Sequence, residues 1–70
     1  MLHIGNLIKA EMKRQERTPV WLARKINCRR QNIYYIYEQK SLNTELLIRI
    51  SKALKVDFFK IISQYISTSE

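Results

Sequence analysis

Arg30, Gln31, Tyr34 and Tyr35 follow one another at intervals of one, three and one residue. On a helix turning about 100° per residue, that spacing gathers them on one side, with Glu38 among them. Their combined chemistry is that of nucleic-acid recognition. A guanidinium and a carboxamide suit hydrogen bonding to base edges in the major groove, while a phenol can set its ring against a thymine methyl or its hydroxyl on a phosphate. Ile33, Ile36 and part of Tyr37 fall on the opposite side at spacings of three and four. The segment from Arg30 to Glu38 therefore reads as a helix with an apolar inner stripe and a polar, aromatic outer face.

A second short helix must stand before it. Thr18 can cap the free N–H groups of a helix start, and Pro19 follows at the first helical position, where a missing N–H costs nothing. Leu22, Ala23 and Ile26 then share one face. Asn27 stands where the chain must leave that helix through a left-handed conformation, which Gly adopts freely and Asn with little strain. Cys28 is small and apolar enough to be buried just after the turn. Two short helices joined by one tight turn give the outline of a helix-turn-helix, and that outline points to DNA.

The rest of the chain reads as supporting helices. Ile4, Leu7, Ile8 and Met12 form an apolar stripe on a first helix from about His3 to Glu16, whose start Gly5 weakens slightly. Asn43 or Thr44 can cap a helix carrying Leu46, Leu47, Ile50, Ala53 and Leu54 on one side, with Ile48 pointing away. From Asp57, which can cap it, a last helix carries Phe58, Phe59, Ile61, Ile62, Tyr65 and Ile66, a stripe wide for one small core. Residues 1–66 are expected to form a single domain, and residues 67–70 a frayed tail.

The pattern T18-x-x-x-L22-A23-x-x-I26-N27-C28-x-x-x-x-I33-x-x-I36, followed by L47-x-x-I50-S51-K52-A53-L54-K55-V56, resembles the lambda repressor-like, Cro and XRE family of helix-turn-helix regulators. The resemblance implies an all-α, compact five-helix bundle in which the helix from Arg30 to Glu38 enters the major groove. Four positions depart from the family pattern. Asn27 replaces the turn glycine, Pro19 a polar residue that is often a phosphate-binding Gln, Arg29 a capping Ser or Thr, and Tyr37 an acidic residue.

Charge agrees with a polyanionic partner. The formal net charge is +7, and the stretch from Lys9 to Lys40 holds nine basic residues against Glu11, Glu16 and Glu38. Such an excess raises affinity for DNA by releasing condensed counterions, without reading sequence. The expectation is a sequence-specific DNA-binding regulator, a repressor, with Arg30, Gln31, Tyr34 and Tyr35 reading bases and Thr18, Arg29 and Lys40 meeting phosphates. Paired carboxylates, a nucleophile with its base, a phosphate-cradling glycine loop and a metal cluster are all missing from the sequence, so neither enzymatic activity nor a cofactor is expected.

One cysteine excludes an internal disulfide, and no apolar run approaches the roughly 20 residues of a membrane span. A cytoplasmic location is the expectation. Trp21 is expected to pack over the helix entrance, and His3 is given no role. Phe59, Tyr65 and Ile66 offer an edge for a homodimer that would present two reading helices to successive turns of a duplex. Two other readings stay open: an antitoxin that masks a toxin through an apolar surface, and a protein–protein adaptor that kept the fold without reading bases.

Overall fold

Four of the five helices in this chain begin where a side chain accepts from an N–H three residues on. In the computed structural model, which describes residues 2–68, five helices follow in order: α1 Ile4–Arg14, α2 Pro19–Lys25, α3 Arg30–Glu38, α4 Thr44–Leu54 and α5 Phe58–Thr68. No strand occurs among the described residues. Thr18 Oγ1 accepts from the N–H of Trp21 at 3.1 Å, Asn43 Oδ1 from Leu46 at 2.8 Å and Asp57 Oδ1 from Lys60 at 3.1 Å. Each bond satisfies one of the donors that a helix start leaves without an intrahelical partner.

The cap of α1 was not foreseen. His3, to which the sequence assigns no role, accepts from the N–H of Asn6 through Nδ1 at 3.0 Å. A neutral imidazole has one such acceptor nitrogen, so it can do the work usually left to Ser, Thr, Asp or Asn. The far end of the chain also differs from expectation. Ser67 and Thr68, placed in a frayed tail, belong to α5, and their hydroxyls bond back to the carbonyls of Ser63 and Gln64 at 3.1 and 3.0 Å. The other two residues of that tail, 69 and 70, lie outside the described residues.

Three helices end on a left-handed residue that is not glycine: Glu16 at φ 56°, Asn27 at φ 58° and Lys55 at φ 58°. In each case the next N–H turns back to a carbonyl five residues earlier, Arg17 to Met12 at 2.9 Å, Cys28 to Ala23 at 2.8 Å and Val56 to Ser51 at 3.1 Å. These closures satisfy carbonyls at the helix ends and set the direction in which the chain leaves.

The core draws on every helix. Ile4, Ile8 and Met12 come from α1, Leu22 and Ala23 from α2, Ile33 and Ile36 from α3, Leu47, Ile50 and Leu54 from α4, and Phe58 from α5, with Ile26 from the turn. A fully buried side chain of this size contributes about 1.5–3 kcal/mol. No polar or charged residue among the described ones is fully buried. Gln15 ties two helix ends together, its amide donating to the carbonyl of Leu54 at 2.8 Å.

Gly5 has a larger part than a weak helix start. It is buried where α1 meets the end of α3, and a Cβ there would lie 2.3 Å from the carbonyl oxygen of Tyr37 and 2.5 Å from that of Ile36. This closeness lets the first donors of α1 find partners across the contact. Ile4 N–H bonds the carbonyl of Lys40 at 2.9 Å, and Gly5 N–H that of Gln39 at 2.8 Å. Two main chains thus lock together with no side chain between them.

Candidate nucleic-acid interface

The turn at Asn27 and the lock at Gly5 hold α3 at its two ends. Between them Ile33 and Ile36 anchor the helix to the core, at 0% and 4% exposure. Counted at about 100° per residue, Arg30, Gln31, Tyr34, Glu38 and Tyr35 span an arc of about 140° on the other side. All five are exposed. The four residues assigned to base reading therefore share one open face.

They are not equally free. Tyr34 stands edge-on to Tyr37, with ring centroids 6.2 Å apart and planes at 87°, a favourable aromatic geometry. Tyr37 is half-buried and serves as a fixed backing for Tyr34. Burial, and secondarily the neighbouring Tyr34, push the Tyr37 phenol above the usual tyrosine range, so it stays neutral. Lys9 of α1 lies with Nζ 5.9 Å from the Tyr37 ring centroid. Arg30, Gln31 and Tyr35 make no side-chain hydrogen bond to the described residues, and Tyr35 is 64% exposed.

The start of α3 has no side-chain cap. Arg29 occupies the cap position, and its side chain accepts nothing. Its carbonyl instead accepts from Asn32 N–H at 3.0 Å and, at 3.5 Å, from the thiol of Cys28. Donors at the first turn are thus left for an outside acceptor, beside the cations of Arg29 and Arg30. Cys28 is half-buried, and burial pushes its thiol up, opposed in part by a hydrogen bond with Asn32.

The residues assigned to phosphate stand at three separate points. Thr18 is exposed at the start of α2; its hydroxyl oxygen is engaged by Trp21 N–H, which leaves the hydroxyl hydrogen to donate. Arg29 is exposed before α3. Lys40 is exposed just after α3, and its main chain is fixed by the bond from Ile4. Ion pairs among the described residues involve Arg14 with Glu11 and Arg49 with Glu45. Arg29, Arg30 and Lys40 are in neither pair, so their charge is uncompensated by a close carboxylate of the described residues.

The sequence leaves Lys9 available to solvent or phosphate, but it does not reveal the approach of Lys9 to Tyr37, Tyr37 as the backing of Tyr34, or the main-chain lock. The period of three and four marks Tyr37 as partly inward, but no local signal shows which side chain would rest on it. No helix among the described residues is long and apolar enough to cross a membrane. Comparison of the chain with family models, curated proteins and solved structures finds no match, so the meaning of this surface rests on its own residues.

Proposed function

We propose that the chain is a sequence-specific DNA-binding regulator of the lambda repressor-like helix-turn-helix kind, acting as a repressor by occupying an operator. The observation that carries the reading is the open face of α3, where Arg30, Gln31, Tyr34 and Tyr35 stand exposed on a helix held at both ends. In this reading α3 enters the major groove, Arg30 and Gln31 make paired hydrogen bonds to base edges, and Tyr34 and Tyr35 add contacts to methyl groups or phosphates. Thr18, Arg29 and Lys40 fix the domain on the backbone, and a phosphate oxygen completes the uncapped start of α3.

Two copies would bind together. α5 places Phe58 in the core at 1% exposure but leaves Phe59 at 39% and Ile66 at 64%, with Tyr65 half-buried beside them. In this reading a pair formed through this edge presents its two reading helices to successive major-groove faces, which are about 34 Å apart on the duplex.

Selection of binding sites from a random duplex library, at near-physiological salt, tests both statements. The expected product is an inverted repeat with half-sites about 10 base pairs apart. Arg30→Ala should relax the choice at one position of each half-site, costing about 1–3 kcal/mol there, while Lys40→Ala weakens all sequences alike and lowers the salt slope by about 0.9. Recovery of no motif would overturn the reading and favour the adaptor, for which exposed Phe59 supplies an apolar contact.

A further inference from the structure

Trp21 is the one tryptophan of the chain, and cations gather on it. The Arg17 guanidinium lies 4.4 Å from its ring centroid and Lys25 Nζ 5.7 Å. Val20, 40% exposed, and Arg24 line the same shallow hollow as Thr18, Trp21 and Lys25. Arg17, Arg24 and Lys25 are in neither ion pair of the described residues. Leu22 and Ala23 are the buried residues of α2, which packs on α3 and α4. By helical period the hollow therefore opens on the side of α2 turned away from both.

We propose that this face of α2 docks an acidic segment of another protein, one that carries apolar side chains among its carboxylates. The carboxylates meet Arg17, Arg24 and Lys25, and an apolar side chain covers Trp21 and Val20. A guanidinium lying over an indole keeps N–H donors free for a carboxylate, so Arg17 can hold the ring and an acidic side chain together. Trp and Arg together are also the residue types that dominate binding energy at protein interfaces.

Charge and polarity choose among the occupants. A second copy of this chain would bring a net charge of +7 toward three cations. A DNA backbone would satisfy those cations and leave Val20 and the indole without an apolar partner. An acidic amphipathic segment satisfies both.

Because Trp21 is the single tryptophan, its emission reports directly on the site in the full chain. The probe is a short synthetic helix of Glu with Leu at helical spacing, set against an oligo-Glu peptide of equal charge. The expected result is a saturable change in Trp21 emission with the Glu–Leu helix. Affinity should fall about tenfold for oligo-Glu, and about tenfold for the chain carrying Arg17→Ala with Lys25→Ala. Both replaced residues are exposed, and the doubly substituted chain should keep its helices, as checked by far-UV circular dichroism. Equal binding of the two peptides, or no change in emission, overturns the proposal. Affinity for random duplex DNA that falls as much with Arg17→Ala and Lys25→Ala as affinity for the Glu–Leu helix also overturns it and assigns the face to nucleic acid.

Discussion

Replacing Gly5 by alanine tests the main-chain lock, because helix propensity and tertiary contact give opposite signs. Propensity alone favours Ala over Gly inside a helix by about 1 kcal/mol. Against this, the added Cβ would lie 2.3 Å from Tyr37 O and 2.5 Å from Ile36 O, both main-chain atoms that no rotamer change can move aside. The ends of α1 and α3 must separate, which stretches or breaks the bonds of 2.9 Å from Ile4 to Lys40 and 2.8 Å from Gly5 to Gln39. Each bond is worth about 1 kcal/mol net, and a methyl forced into a filled space costs about 1–3 kcal/mol. After the propensity gain is set against these, Gly5→Ala should destabilise the fold by about 2–4 kcal/mol. Total stability for a domain of 70 residues is about 3.5–10 kcal/mol, so the loss is a large share of it. Urea unfolding followed by Trp21 emission should show the midpoint falling with an unchanged slope, and melting should occur at least about 8 °C lower. A midpoint that is unchanged or raised would refute the reasoning and leave propensity as the governing term.

Glu16→Gly should raise stability by about 0.5–1 kcal/mol in thermal melts, since Gly relieves the left-handed strain at φ 56° but gains freedom when unfolded; Asn27→Gly should raise it less, because Asn tolerates that conformation better. Glu11 is bonded by Arg14 and by Gln15 Nε2 at 2.6 Å, and the Arg14 hydrogen bond above all holds its carboxyl below the usual glutamate range. A lowered folded-state value contributes stability above the unfolded value, which is lost as pH falls through the folded one; acid titration of Glu11→Gln should therefore show a shallower loss than the parent chain, and parallel curves would refute the assignment. Cys28, whose thiol burial pushes up, should alkylate more slowly than free cysteine at mildly alkaline pH, with its rate curve displaced upward; a rate equal to that of the free amino acid would show the side chain to be open.

The helices were legible where the signal is local. Thr18, Asn43 and Asp57 are ordinary cap residues, and the inner stripes of α3 and α4 follow from apolar spacing. Asn27 was legible because few residue types accept a positive φ. Glu16 and Lys55 were not, since neither type favours that conformation and only the closing bonds of the packed chain hold them there. His3 escaped notice because imidazole caps a helix only through its unprotonated nitrogen, which sequence does not specify. Gly5 could not be read at all: its reason lies on α3, far along the chain. For the candidate surface, helical period placed Arg30, Gln31, Tyr34 and Tyr35 on one face, while the support of Tyr34 by Tyr37 needed the approach of side chains within the folded helix.

The junction of α1 with α3 has a consequence for how such a surface can diverge. Its hydrogen bonds run between peptide groups, and the groups they join are present whatever side chains α3 carries outward. Arg30 and Gln31 have no hydrogen-bonding duty toward the described residues and can be exchanged without disturbing the seat of the helix. Descendants of this chain, or libraries varied at these positions, can therefore acquire a new ligand preference by changing outward residues alone, provided that a single glycine is kept where no variation shows any outward sign of need.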